Sequence, residues 1–276
     1  MIMENIIYNL QNTKCSYDRK KVVLDIKKLL IPAGNIIFFV GPSGIGKSTI
    51  LETLGMMNNT ILTSDVFEYK KHDMRSLWKS RNSAKLAELR NNEFSFIFQQ
   101  NNLMPNFSAQ ENAMTAALFQ GMPMAQAVKK VKDIFSVLEL PTDDRPIYEY
   151  SGGQQQRIAF ARAILPNFSV LFGDEPTGNL DSNTAETLMQ KLSEVVHQKD
   201  ATAIIVSHDM HLATKYADMI IQIQKYEIKD EKGHVKEVHG LIDENSIYTK
   251  DGQFWQHQTE QYTNEKLYNK LINELK

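Results

Sequence analysis

The chain has 276 residues, 42% of them apolar and 9% aromatic, enough for one large or two small domains with a sizeable core. Its formal net charge is −2 and its Lys and Arg residues are spread along the chain, which excludes an electrostatic footprint for nucleic acid. No window approaches the roughly 20 apolar residues of a membrane helix, the start Met1-Ile2-Met3-Glu4-Asn5 has no secretory pattern, and the lone Cys15 allows no internal disulfide. Action at a membrane would run through docking onto another chain.

Short apolar runs, Ile6-Ile7-Tyr8, Val22-Val23-Leu24 and Leu29-Leu30-Ile31, alternate with polar breaks and predict a small antiparallel sheet. Tyr17 lies between the first two runs, before Asp18-Arg19-Lys20-Lys21, and on its own reads as an exposed loop tyrosine. Pro32-Ala33-Gly34 turns the chain into an apolar strand, Ile36-Ile37-Phe38-Phe39-Val40. The next residues, Gly41-Pro42-Ser43-Gly44-Ile45-Gly46-Lys47-Ser48-Thr49, fit GxxxxGK[ST], a phosphate-binding loop. Gly41, Gly44 and Gly46 permit a curl tight enough to aim backbone N–H groups at a phosphate chain. A helix starting near Lys47 and ending at Gly55 would set its positive end under the same phosphates, with Lys47 reaching the β and γ oxygens and the Ser48 hydroxyl on magnesium.

A strand pair is expected over 61–68, followed by a charged stretch over 70–90 in which Ala84-Lys85-Leu86-Ala87-Glu88-Leu89-Arg90 has helical spacing. Phe94-Ser95-Phe96-Ile97-Phe98 reads as a strand ending in Gln99-Gln100-Asn101-Asn102, amides suited to a ligand contact or a turn. Ser108 with Glu111 is a capping-box pattern, and a second helix from about Pro123 to Leu140 carries Val128, Val131, Ile134, Phe135 and Leu138 on one face, closed by Pro141. This helical block separates the phosphate loop from Tyr150-Ser151-Gly152-Gly153-Gln154-Gln155-Gln156-Arg157, where a serine N-cap and glycines ahead of a helix make a second potential phosphate site.

Val170-Leu171-Phe172-Gly173 runs into Asp174-Glu175, then Pro176-Thr177-Gly178-Asn179-Leu180-Asp181. Adjacent carboxylates at a strand end point to opposite sides, so Asp174 can hold a magnesium shell while Glu175 orients an attacking water. Asp181 on its own reads as part of a capped turn, and a helix is expected over about 183–197. A further apolar strand, Ala203-Ile204-Ile205-Val206, ends in Ser207-His208-Asp209, which places His208 as a γ-phosphate contact if the strand tips converge at one sheet edge.

Taken in order, these motifs resemble the nucleotide-binding subunit of ABC transporters over about residues 5–224. The resemblance implies that Tyr17 stacks on adenine and that Gln99 senses magnesium and the transmembrane partner. It implies that Ser151, Gly152, Gly153 and Gln154 bind ATP on the opposite subunit, and that residues 179–181 cross the dimer interface. Leu89-Arg90, Phe96-Ile97-Phe98-Gln99, Asn102-Leu103-Met104-Pro105 and the stretch from Glu175 to Asp181 are similar to the branch of lipoprotein-releasing, macrolide-exporting and cell-division ATPases. Those pair with permeases that transmit motion across the membrane. Tyr150 stands where that family usually has leucine, and the tail after Gln224 has no counterpart in its minimal subunit.

In that tail, Glu227 to Val235 reads as a hairpin turning near Gly233, Asp251-Gly252 as another turn, and Thr263 to Leu275 as a short polar helix, with Tyr248, Phe254 and Trp255 packing on the same chain. The expectation is thus an α/β protein. It has a RecA-like P-loop NTPase core, an antiparallel β subdomain and an inserted α-helical subdomain (about 100–165) within residues 1–224, then an extension over 225–276. Expected activity is Mg2+-dependent ATP hydrolysis with Lys47, Gln99, Glu175 and His208 as the reacting set and Ser48, Gln99 and Asp174 around magnesium. Expected partners are a second ATPase subunit and a separate permease at the inner face of the cell membrane, with no nucleic acid. A soluble mechanical or regulatory ABC ATPase is the other class; it usually adds a second cassette or a coiled-coil insertion. A simple P-loop kinase or GTPase would leave residues 151–154 unexplained, and a non-enzymatic module would lack Glu175 or His208.

Overall fold

The computed structural model describes residues 5–80, 83–143 and 145–274; the first four residues and Leu275 of the expected tail helix lie outside these. Two compact units divide the chain, one from residues 1–86 with 206–276 and one from 87–205.

The first unit opens with β1 (Ile6–Cys15) and β2 (Leu24–Pro32), paired antiparallel. The two apolar runs expected as separate pieces differ in outcome: Leu29 to Ile31 lie in β2 with Leu24, whereas Val22 and Val23 precede the strand. Leu24, Ile26, Leu29 and Ile31 go inward and Lys27 and Lys28 face solvent, so one strand spans what looked like a polar break. β3 (Ile36–Val40) is buried at every position, as a strand covered on both faces must be. It leads into α1 (Lys47–Leu54), which ends at Gly55, whose N–H donates to the Leu51 carbonyl at 2.8 Å. β4 (Ile61–Thr63), β5 (Val66–Tyr69) and β6 (His72–Asp73) extend the antiparallel sheet, and α2 (Met74–Lys79) starts on an Asp73 cap.

The chain enters the second unit within α3 (Ser83–Glu93), and the β7 strand that follows (Phe94–Ile97) is one residue shorter than the expected Phe94–Phe98 run. The expected capping box opens α4 (Ala109–Phe119): Glu111 N–H donates to Ser108 Oγ at 3.2 Å and Ser108 N–H to Glu111 Oε2 at 2.8 Å. Helix α5 (Met124–Val137) stops earlier than the spacing suggested. Glu139 takes the left-handed conformation (φ 49°) and Leu140 N–H closes back on the Phe135 carbonyl at 2.9 Å, so the backbone ends the helix before Pro141. Its buried stripe is Ala127, Val131, Phe135 and Leu138, with Val128 and Ile134 only half-buried. Then come α6 (Gly152–Ile164), β8 (Val170–Asp174), α7 (Ser182–Gln198) and β9 (Thr202–Val206). β7 and β8 pair parallel, and Phe172 stacks on Phe96 with ring centroids 5.2 Å apart.

Back in the first unit, α8 (Met210–Tyr216) precedes β10 (Met219–Gln222), which lies parallel to β3. β11 (Gln224–Lys229) and β12 (Val235–Ile242) form the expected hairpin, with Gly233 at φ 81° in its turn, and β12 pairs with β2. The sheet order there is β11-β12-β2-β1-β5-β6. β13 (Ile247–Asp251), β14 (Phe254–His257) and β15 (Glu260–Tyr262) add to β10, covering an edge that would otherwise show unpaired backbone. α9 (Asn264–Glu274) follows, and the indole N–H of buried Trp255 donates to Asn264 Oδ1 at 2.8 Å. Tyr248 is buried as expected, but Phe254 is exposed: neighbours on a strand face opposite ways, and Trp255 takes the inward place.

Candidate nucleotide site

The phosphate loop joins β3 to α1 within the first unit. Gly44 (φ 75°) and Gly46 (φ 105°) adopt the left-handed conformation that L side chains resist, and Gly46 caps α1 with no side chain on the first-turn N–H groups. Those groups and the helix dipole make the concavity suited to an anion. Lys47 Nζ donates to the carbonyls of Gly41 and Pro42, both at 2.8 Å, so its ammonium sits inside the curl. Gly41 is tightly packed: a Cβ there would stand 3.0 Å from both the Ile223 carbonyl oxygen and Ile45 Cγ2. Ser48 is exposed and Thr49 buried in the first turn of α1.

Tyr17 is placed by its own loop. Asp18 accepts N–H bonds from Lys20 and Lys21, both at 2.8 Å, and these hold its carboxyl below the usual range. The Tyr17 ring is 53% exposed, while its hydroxyl donates to Glu52 Oε2 at 2.9 Å and lies 3.2 Å from Thr49 Oγ1, both on α1. Burial of that hydroxyl, with Glu52 beside it, pushes its pKa up to about 12. An aromatic face is thereby presented next to the phosphate loop with its polar end tied down. His208 is exposed just past Ser207, whose N–H donates to the Phe39 carbonyl at 3.3 Å, which sets it by the end of β3.

The second unit holds the remaining residues. Ser151 caps α6 in a full capping box: Gln154 N–H donates to Ser151 Oγ at 3.3 Å, and Gln154 Oε1 accepts from Ser151 N–H at 3.0 Å. Ser151 and Gly152 are exposed, and a Cβ on Gly152 would meet open space. Asp174 ends β8, and Glu175 follows at φ 52°, a conformation uncommon outside glycine. Asp181 does cap α7, its Oδ1 accepting from Thr184 N–H at 3.1 Å. Gln99 is exposed beyond β7, and the chain after it is anchored by Arg162 of α6, which donates to the carbonyls of Asn101 and Asn102, both at 2.7 Å.

Three contributors were not found from sequence: Arg162, Gln156 and Gly240. Each acts through partners distant in the chain. Gly240 of β12 lies against Ile45 of the phosphate loop, and its N–H donates to the Val23 carbonyl at 2.9 Å. The tail also lines a cavity of about 810 Å³ together with Pro42 to Ile45 and Gln222 to Gln224. Among the described residues no three or more His, Cys, Asp or Glu cluster as a metal site, and no helix is long and apolar enough to cross a membrane.

A phosphate loop at a β3–α1 junction and a capped serine-glycine helix start, on an α/β scaffold with an antiparallel sheet, define an ABC-type ATPase. The family profile described as ABC transporter matches residues 24–178, more than half of the chain, and the chain belongs to that family. It is 38% identical over 209 residues to the lipoprotein-releasing system ATP-binding protein LolD of Syntrophotalea carbinolica, covering 75% of this chain and 89% of that one. It is 36% identical over 213 residues to the macrolide export ATP-binding/permease protein MacB of Aggregatibacter actinomycetemcomitans, where the match spans 76% of this chain but only 32% of the relative. Among solved structures, the dimeric post-hydrolysis state of the ATP-binding cassette MJ0796, bound to ADP and Pi, superposes with a TM-score of 0.69 at 28% identity, covering 84% of this chain and 98% of that one. The chain is an ABC ATPase cassette of the lipoprotein-releasing and macrolide-export branch.

Proposed function

We propose that the protein is the ATP-hydrolysing subunit of an ABC transporter that closes head to tail on a second copy over two ATP molecules and drives a separate permease of export or mechanotransmission type. The observation that carries this reading is the start of α6, where Ser151 and Gly152 face solvent with open space before them. A phosphate-binding turn presented outward is what a nucleotide held by a second copy would meet. The dimeric state of the MJ0796 relative, with ADP and Pi bound, supports the same reading.

Tyr17 stacks on adenine, residues 41–49 wrap the phosphates, and Lys47 and His208 stabilise charge on the γ-phosphate. Glu175 orients the attacking water. Residues 151–154 contact the ATP of the second subunit, and 179–181 lie at the dimer interface. The donors assigned to magnesium are the Ser48 hydroxyl, the Gln99 amide oxygen and the Asp174 carboxylate, hard oxygen ligands of the kind the ion takes beside water and phosphate. Bound there, magnesium would supply neutralisation of the β- and γ-oxygens.

Residues 1–224 form the ATPase domain with its helical insertion at about 100–165, and 225–276 are an extension. The assigned location is the inner face of the cell membrane, with no nucleic-acid partner. In the second unit, Phe119 is 75% exposed beside a crevice of about 230 Å³ lined by Arg90, Phe94, Phe96, Gln120 and Arg162, which suits a permease segment bearing an apolar side chain. Mass spectrometry of proteins that co-purify with Glu175→Gln plus ATP from detergent-solubilised native membranes tests the reading. The expected result is a permease with few spans and a large external domain. Enrichment of soluble proteins alone over an ATP-free control would instead favour a regulatory ATPase.

A further inference from the structure

Gln156 stands in the second turn of α6 and is 1% exposed. A buried primary amide must find partners for both its ends. Both are found in the segment after β8: Nε2 donates to the Glu175 carbonyl at 3.0 Å, and Oε1 accepts from Asn179 N–H at 3.0 Å. Three residues earlier, on the same helix face, Gly153 meets the same segment; a Cβ there would stand 3.3 Å from Leu180 Cδ2 and 3.4 Å from the Asn179 carbonyl oxygen. Helix and loop therefore touch at two successive turns.

The backbone that Gln156 holds is an unusual one. Glu175 sits at φ 52°, and its carbonyl also accepts from Gly178 N–H at 3.1 Å, closing a tight turn. Such a conformation in a residue with a Cβ persists only where the surroundings enforce it. The Gln156 amide is one of those enforcing contacts, and it reaches Glu175 from the helix that begins at Ser151.

We propose that Gln156 is a positioning residue for ATP hydrolysis: its amide fixes the backbone of Glu175, and with it the direction of the carboxylate, to the helix that carries residues 151–154. This rests on the reading of Glu175 as the water-orienting group and of residues 151–154 as the contact to the second subunit's ATP. Under that reading, α6 engages one nucleotide at its N-terminus and holds, through Gln156, the glutamate that serves the other. A helix moves as a rigid body, so seating the first nucleotide sets the geometry for hydrolysis of the second.

The test is Gln156→Met, which keeps length and removes both hydrogen-bonding ends, studied with Gln156→Glu at mildly alkaline pH. The second variant keeps an acceptor for Asn179 N–H and loses the donor to the Glu175 carbonyl. Both are expected to lower kcat about tenfold or more, since a displacement of about 1 Å at a reacting group can cost about a hundredfold. KM for ATP should stay within about threefold, the pattern of an interaction that matters in the transition state. Glu175→Gln combined with Gln156→Met should still accumulate the ATP-dependent dimer. Wild-type kcat in either variant overturns the proposal, as does a rise in KM with loss of that dimer, which marks a merely structural contact. Glu175→Gln measured alone separates the two readings: turnover at the wild-type rate removes Glu175 from its role, whereas an inactive Glu175→Gln beside active Gln156 variants removes only Gln156.

Discussion

Gly240, in the second strand of the tail hairpin, lies so close to Ile45 of the phosphate loop that a methyl group on it would collide with the Ile45 carbonyl oxygen. The same methyl would stand 2.7 Å from Ile223 Cγ2 and 2.9 Å from Leu24 Cδ1, so no free direction remains for it. A segment after Gln224 is therefore built against the loop proposed to hold the phosphates, and β12 is held there by its pairing with β2 at Gly240, Leu241 and Ile242.

Gly240→Ala should displace the phosphate loop. Overpacking of this kind costs about 1–3 kcal/mol, and because the colliding atom is Ile45 backbone, the loss should appear in nucleotide binding as well as in folding. Urea unfolding without nucleotide and titration with a fluorescent ATP analogue measure the two separately. A variant that is destabilised but binds the analogue as wild type does would show that the strain is absorbed by Ile223 and Leu24 instead.

Tyr17 offers its ring to solvent while Glu52 and Thr49 hold its hydroxyl. Removing an aromatic platform from a base costs about 1–3 kcal/mol, so Tyr17→Ala should raise the ATP KM about tenfold. Tyr17→Phe keeps the platform and loses only its tether, and should raise KM by less than about threefold. Steady-state kinetics of the pair decide this, and equal effects would assign the tyrosine's value to its hydroxyl.

Cys15 is fully buried at the end of β1, where Thr53 Oγ1 lies 3.6 Å from its sulfur, and burial pushes the thiol from 9.0 up to about 11. The unfolded chain therefore ionises first as pH rises. The contribution to stability is intact below pH 9 and is lost as pH climbs through about 11, a total of about 2–3 kcal/mol. Urea midpoints of the wild type should fall over that window, and Cys15→Ala should lose this part of the slope.

Local chemistry explains what was legible in the sequence. The curl of residues 41–49, the Ser108–Glu111 box and the Gly233 turn are each specified by residues within a few positions of one another, and each forms as its pattern implies. Where the answer depended on distant partners, the pattern misled or was silent. Lys27 and Lys28 looked like a break because only the packed sheet shows that β2 continues through them. The end of α5 was set by Glu139 in the left-handed conformation, which its side chain does not advertise. Three tail strands joined the edge of β10, and Gln156 and Gly240 matter through contacts made across the fold. Period and propensity carry no record of such contacts.

Light scattering of Glu175→Gln with and without ATP, alongside its ATPase rate, tests whether ATP closes two copies and Glu175 drives hydrolysis. The variant should be a monomer that becomes a stable dimer on ATP and hydrolyses it about a hundredfold or more slowly than the wild type. A variant that stays monomeric at saturating ATP, or that turns over at the wild-type rate, would contradict that reading.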